Sequence, residues 1–359
     1  MICDDSAVVR GLVARLLEGD PNIEIVATAA DGEAAIRSLQ RTPADVVVLD
    51  IEMPVMDGLT ALPKLLAVDP DLKVIVASTL TKRNAQVSLQ ALAGGAADYL
   101  PKPTSTSEIS GSGDFRQQLL EKVKALGAVR RARRGRIAPT RPAPGPVVPP
   151  RPQAPVAISL RRPSLRRPQI LAIGSSTGGP QALVAMLSAL PPAVTAPIVI
   201  TQHMPATFTA ILAEHLGRAT SRNAQEGVDG EKLSNGRIYI APGGLHMKLE
   251  KRAAETVIRL TQDPPENFCR PAVDPMFRSV AEVFGAASLA VVLTGMGMDG
   301  ARGGKTIAEA GGTVIAQDEA TSVVWGMPGA TAQSGACSAV VPLADIAPMV
   351  TRLFAGGTP

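Results

Sequence analysis

Between Pro139 and Pro168 the chain reads PTRPAPGPVVPPRPQAPVAISLRRPSLRRP, and no other stretch constrains the fold as strongly. It is too rich in proline and too poor in large apolar residues to pack a core, so it reads as a semi-rigid spacer. A chain of 359 residues interrupted there carries a globular segment on each side. Hydrophobic residues at 45% and charged ones at 19% are ordinary for soluble domains and exclude a wholly disordered chain. Aromatic residues are only 3%, so the cores must rest on Val, Ile, Leu, Ala and Met.

The net charge of +4 suggests a nucleic-acid partner until its location is considered. Eleven arginines and no Asp or Glu lie between Arg130 and Arg167; without them 25 basic residues face 32 acidic ones, a net −7. The folded parts are therefore acidic, and no nucleic-acid partner is expected. No apolar run approaches the roughly 18 residues of a membrane span, and no basic-then-apolar leader opens the chain. Cys3, Cys269 and Cys337 are far apart and form no Cys-x-x-Cys, which fits a reducing, cytoplasmic setting without a disulfide frame or zinc cluster. Membrane insertion is not expected.

Both flanking segments alternate short apolar strands with helical patterns, the signature of parallel sheets covered on both faces. In the first, Ile23–Ala27, Asp45–Leu49, Lys73–Ala77 and Ala97–Leu100 read as strands. Val8–Glu18, Glu33–Gln40, Leu59–Ala67, Asn84–Ala93 and Phe115–Leu126 read as helices. In the second, Ile170–Ile173, Ile198–Thr201, Leu289–Leu293, Thr313–Ala316 and Ala339–Val341 read as buried strands. Arg237–Ala241, His246–Leu249 and Val257–Leu260 suggest an antiparallel excursion. The expected organisation is an α/β domain over 1–126, a linker over 127–168 and a doubly wound α/β domain over 169–354.

Function in parallel α/β sheets gathers at the carboxyl ends of the strands. In the first domain these ends carry Asp4 and Asp5, Asp50 after VVVL, Ser78 and Thr79 after KVIVA, and Lys102 within DYLPK. Clustered carboxylates make a hard-oxygen site suited to Mg²⁺, and a carboxylate can take a phosphoryl group as nucleophile. A hydroxyl and an ammonium can neutralise the transferred charge. Any one of these residues alone reads more readily as a solvated strand-end group; the ordered set does not.

With DDS at Asp4–Ser6, LDIEMPVMDG at Leu49–Gly58, STLT and YLPKP, the first 125 residues or so resemble the receiver domain of bacterial response regulators. The resemblance implies a flavodoxin-like five-stranded sheet with Asp50 as phosphoaspartate. Asp4, Asp5 and the Glu52 backbone carbonyl would hold Mg²⁺ with it, Ser78 would be the switch hydroxyl and Lys102 the phosphate partner. Only Met1, Ile2 and Cys3 precede the acidic pair, where a central strand is expected to have about five or six residues. The first strand therefore reads as truncated, with the true start expected upstream.

In the second domain the strand QILAIG runs into Gly174-Ser175-Ser176-Thr177-Gly178-Gly179-Pro180 and then a helical pattern. This is G-x-S-x-G at a strand-to-helix turn, which can expose a serine nucleophile or cradle a phosphate. A nucleophile needs a base. His203 ends the strand PIVITQH at the same sheet edge as Ser176, whereas His215 lies inside a helical stretch and His246 follows the turn APGGL. The base needs an orienting carboxylate, and Asp299 lies in LTGMGMDG, just after the strand LAVVL. Oxyanion donors are expected from the Thr177–Gly179 turn and the Gly295–Gly297 loop, with Thr177 and Met296 as pocket candidates.

The motifs IGSSTGGP, ITQHMPATFT, IYIAPGGLHM, RPAVDPMFRS and VVLTGMGMDGA make residues 170–354 resemble the catalytic domain of the chemotaxis response regulator protein-glutamate methylesterases (the CheB family). The resemblance implies Ser176 as nucleophile, His203 as general base and acid, and Asp299 as orienter. It implies hydrolysis of glutamate methyl esters on chemoreceptors, deamidation of receptor glutamines, and no cofactor for either reaction. It also implies a receiver that covers the site until a chemotaxis histidine kinase phosphorylates Asp50. Met298 departs from the polar residue common at that place. Two other classes remain to be weighed: a DNA-binding response regulator, for which no recognition helix stands out, and a non-enzymatic adaptor, which would not need Ser176, His203 and Asp299 together.

Overall fold

The computed structural model describes residues 1–79, 81–102, 113–137 and 158–357. Pro103, Leu80 and most of the Pro/Arg segment, 138–157, lie outside the described residues.

The first domain is a five-stranded parallel sheet in the order β2-β1-β3-β4-β5. Its strands are β1 (Ile2–Cys3), β2 (Thr28–Ala29), β3 (Val46–Asp50), β4 (Lys73–Thr79) and β5 (Asp98–Lys102). The helices are α1 (Ala7–Glu18), α2 (Gly32–Arg41), α3 (Gly58–Val68), α4 (Lys82–Ala93) and α5 (Gly113–Ile137). Side-chain caps from Ser6, Asp31, Asp57 and Thr81 to backbone N–H groups start α1 to α4. β1 is two residues long, yet it pairs with β2 on one side and β3 on the other. The Met1 ammonium donates to the Val46 carbonyl at 2.8 Å. Pairing on the β2 side begins at Thr28, later than the apolar run Ile23–Ala27 suggested, although Ile2 N–H still donates to the Ala27 carbonyl.

Helix α5 runs eleven residues beyond Leu126, into the segment read as linker. The reason is Arg130: fully buried, it donates to the Ala44 carbonyl and to Asp69 and pairs with Asp45. The spacer also ends early. Arg161 N–H donates to the Cys337 carbonyl, and Ser164 bonds Thr313 and Ala286, so the last linker residues lie along the second domain.

The second domain is a seven-stranded parallel sheet in the order β14-β13-β12-β6-β7-β9-β8. Its strands are β6 (Ile170–Ser175), β7 (Ile198–Gln202), β8 (Asn223–Glu226), β9 (Arg237–Ile240), β12 (Ser288–Val292), β13 (Thr313–Gln317) and β14 (Ala339–Val341). The helices are α6 (Gly179–Ser188), α7 (Ala206–Thr220), α8 (Val273–Phe284), α9 (Ala301–Glu309), α10 (Gly326–Gln333) and α11 (Leu343–Phe354). Among the described residues, β10 (His246–Arg252) and β11 (Glu255–Thr261) are the strands that pair antiparallel. Arg237–Ile240 belongs instead to the main sheet, parallel to β7 and β8. β8, polar and at the edge, has no apolar alternation to announce it.

In each sheet the chain winds outward in both directions from its first strand, β1 or β6. The crevices between β1 and β3 and between β6 and β12 are therefore topological switch points, where loops diverge and ligands enter. The domains also pack on one another: α4 lies against α6 and α7, and the rings of Tyr99 and Phe208 stack with centroids 4.4 Å apart.

Candidate active site

At the receiver switch point, ligand atoms of Asp4, Asp5 and Asp50 all lie within 4.8 Å of one another. Asp4 and Asp50 are buried, and Asp5 is exposed. Lys102, at the end of β5, reaches Asp4 at 2.5 Å and Asp50 at 2.8 Å. Burial pushes the Asp50 carboxyl above the usual carboxylate range, and the pull of Lys102 does not fully offset it. Three clustered carboxylates, two of them paired with Lys102, are short of positive charge, so the oxygen-donor set fits a hard divalent cation. Glu52 follows in the exposed β3–α3 loop. Ser78 does not join the cluster: its hydroxyl is buried against Ser88 of α4, at 2.8 Å. Its neighbour Thr79 accepts from Asn84.

At the second switch point, register does the assembling. Gly174 pairs with Thr201 and Ser175 with Gln202, so the next residues out of the sheet, Ser176 and His203, leave side by side. Gly178 caps α6 with φ 76°, a left-handed turn that suits glycine. Gln202 fixes the turn: it accepts from the Ser175 hydroxyl and donates to the Ser176 carbonyl at 2.9 Å. A Cβ on Gly179 would stand 2.0 Å from the Gln202 amide oxygen, so a side chain there would push Gln202 off its hydrogen bonds to the turn. On the other wall, Ser176 N–H donates to the Thr294 carbonyl. A Cβ on Gly295 would lie 2.9 Å from that of Ser176, which brings the β12–α9 loop against the serine.

Asp299, buried at 1% exposure, is the most fully satisfied carboxylate of the region. It bonds His203 Nε2 at 2.7 Å, Val273 N–H at 2.6 Å, and the N–H groups of Asp274 and Gly300 and the Asn267 amide at 3.0 Å each. Burial alone would raise its pKa, but His203 and the amides outweigh burial and keep it below the ordinary value, hence ionised. For His203, burial favours the neutral ring, whereas Cys269 and Asp299 favour the cation and raise it to about 10. Its Nδ1 lies 3.3 Å from Cys269 Sγ. Among the described residues the ring bonds Asp299 and Cys269, and not Ser176.

The other two histidines stand apart. His246 is buried and bonds the Ala272 N–H and the Pro264 carbonyl, bracing the loop before α8. His215 is half-buried on α7, where burial lowers its pKa. Two expected oxyanion donors are already used: Gly179 N–H bonds the Ser176 carbonyl and Gly295 N–H the Val324 carbonyl.

The receiver reaches this site. Thr177, next to the serine, donates its hydroxyl to Asp98 of β5 at 2.6 Å, and Asp98 also pairs with Lys122 of α5 at 2.6 Å. Gln181 of α6 donates to the carbonyls of Leu92 and Ala96. Met296, Val323 and Val324 join the apolar cluster of receiver residues that includes Phe115 and Leu119. Sequence reasoning missed Asp98, Lys122, Asn267, Cys269 and Asp274. Asp274 sat inside a quoted motif, but nothing in its spacing assigned it a role.

Family models match both halves: CheB methylesterase over residues 171–350, and response regulator receiver domain over residues 1–112. A protein-glutamate methylesterase/protein-glutamine glutaminase of Rhodospirillum rubrum is 59% identical, covering 98% of this chain and 94% of that one. Its counterpart in Paramagnetospirillum magneticum is 57% identical over 99% of this chain and 96% of its own length. Among solved structures, the Thermotoga maritima CheB methylesterase catalytic domain is 40% identical, with a TM-score of 0.51, over 52% of this chain and 98% of that chain. The chain belongs to the CheB methylesterase family, in the form that carries an N-terminal receiver domain.

Proposed function

We propose that Ser176, His203 and Asp299 hydrolyse glutamate methyl esters on chemoreceptors to glutamate and methanol. The observation that carries the reading is the register that puts Ser176 beside His203, with the ring tied to a saturated, ionised Asp299. Ser176 Oγ attacks the ester carbonyl as the imidazole takes its proton. The same imidazole returns the proton to the methoxide, so methanol leaves and a glutamyl-serine ester remains. Water, deprotonated by His203, then releases glutamate and restores the serine. Asp299 holds the tautomer and stabilises the imidazolium. Among the described residues the N–H groups of Thr177, Gly178, Met296 and Gly297 make no backbone hydrogen bond and are the remaining oxyanion donors. On a receptor glutamine the same steps expel ammonia, giving the deamidase activity that the relatives' names carry.

Asp50 accepts a phosphoryl group from a chemotaxis histidine kinase, with Lys102 as charge partner and Ser78 as the hydroxyl that turns toward the phosphate. Asp4, Asp5, Asp50 and the Glu52 carbonyl would hold Mg²⁺. When bound, the cation offsets the charge of the carboxylates and of the incoming phosphoryl group. Phosphorylation then loosens the receiver contacts at Thr177 and Gln181 and opens the esterase. Among the described residues no helix is long and apolar enough to cross a membrane.

Methanol release from methylated receptor membranes tests the chemistry. Ser176→Ala is expected to lower it by about 10³–10⁶-fold. Release at the wild-type rate would refute the assignment.

A further inference from the structure

Cys269 has no part in the hydrolysis above, yet it sits on the atom that hydrolysis needs. Asp299 is ionised and can only accept, so the His203 nitrogen it faces, Nε2, carries a proton. Nδ1 is then the one ring nitrogen able to take a proton from Ser176. That nitrogen is bonded to Cys269 Sγ at 3.3 Å.

The sulfur is held there by its loop. Glu266 and Cys269 exchange both backbone hydrogen bonds in a tight antiparallel bridge. Asn267 and Phe268, between them, adopt φ of 51° and 61°, a conformation uncommon for residues with a Cβ. The Asn267 amide ties the loop to Asp299 and to Asp274. Cys3 and Cys337 are buried, and burial pushes both thiols up to about 12; Cys269 is partly exposed.

We propose that Cys269 competes with Ser176 for Nδ1 of His203 and so acts as a brake on the catalytic base. This rests on the assignment of Ser176 and His203 given above. One nitrogen lone pair serves two donors. While Cys269 holds it, either as S–H···N or with the proton passed from sulfur to Nδ1, Ser176 has no base. The proton moves between two groups already present, so the step needs no further reactant. Cys269 and Asp299 both favour the protonated ring and raise His203 to about 10 against burial. The other ionisable groups of the neighbourhood are Asp274, behind Asn267, and Arg278 on α8, which pairs with Glu266. Cys269 is thus a positioning residue of negative sign.

In the full-length protein, Cys269→Ala is expected to raise basal methanol release at neutral pH about three- to fivefold, the worth of one freed neutral hydrogen bond. The acid limb of its kcat/KM profile should move to lower pH. Iodoacetamide labelling, mapped to the Cys269 peptide, reads the competition without relying on activity. Labelling should be at least about tenfold slower in His203→Gln, which removes the proton acceptor, and faster in Ser176→Ala, which removes the rival. These two variants carry the test if Cys269→Ala does not fold. Labelling indifferent to His203 and Ser176, or a well-folded Cys269→Ala with unchanged or lower activity and an unmoved acid limb, overturns the proposal. Failure of the underlying triad looks different: Ser176→Ala would then still release methanol.

Discussion

The two crevices of this chain lie at equivalent places in their sheets and treat buried carboxylate in opposite ways. At the receiver crevice Asp4 and Asp50 share one ammonium, Lys102, with Asp5 close by, and burial raises the Asp50 pKa. At the esterase crevice the carboxylate that faces the base, Asp299, takes five hydrogen bonds and stays ionised despite burial, while its neighbour Asp274, bonded to Gly300, Gly303 and Asn267, takes the upward shift. The first arrangement awaits charge from outside, a cation and a phosphoryl group, and so can respond to them. The second is finished before substrate arrives, as preorganised electrostatic catalysis requires. A switch is built under-satisfied; a catalyst is built satisfied and then covered.

Removing the satisfaction should have the largest effect. Asp299→Asn keeps the shape but loses the charge that fixes the His203 tautomer, so kcat for methanol release should fall by about 10⁴-fold. A loss below tenfold would mean that the ring is oriented by something else. Removing the cover should act in the other direction and more weakly. Gln181→Ala deletes two hydrogen bonds to the receiver carbonyls of Leu92 and Ala96. Basal release is expected to rise several-fold, up to about tenfold, since each such bond is worth about 1 kcal/mol. The stimulation ratio with a phosphodonor should shrink correspondingly.

Relieving the under-satisfied cluster should give the smallest effect, read in stability. The Asp50 carboxyl has a folded-state pKa raised above its unfolded value of 3.8. In the interval above pH 3.8 the native state binds more protons than the unfolded one, and this group's contribution to stability declines as pH rises through it. Asp50→Asn should raise the receiver's thermal midpoint by a few degrees and flatten that decline; about 1 kcal/mol corresponds to roughly 4 °C in a domain of this size. A lower midpoint in calorimetry would show that Lys102 needs the Asp50 charge more than burial resists it.

Much of this was legible from the chain alone, because strand-end polar residues in a parallel sheet have only one edge to gather at. Asp50, Lys102, Ser176 and His203 are each the last residue of a buried apolar run or its neighbour, and period and burial locate them. Features that depend on pairing between distant segments were not legible. Arg237–Ile240 reads like one strand of a hairpin, and only its neighbours decide that it joins the main sheet. The polar edge strand Asn223–Glu226 carries no pattern. Helix α5 continues past Leu126 because Asp45, Asp69 and the Ala44 carbonyl wait for Arg130, three groups that local propensity does not see. Asp98 and Thr177 are 79 residues apart, and Cys269 and His203 66 apart; both contacts arise only once domains or loops have docked.

The central claim is that a finished esterase lies under a receiver that phosphorylation of Asp50 displaces. Methanol release from methylated receptor membranes tests it directly, with full-length wild type and Asp50→Ala each assayed with and without a small phosphodonor and Mg²⁺. The account predicts a similar low basal rate in both proteins and stimulation in the wild type alone. Equal stimulation of the two, or none in a wild type shown by mass to be phosphorylated, would contradict it.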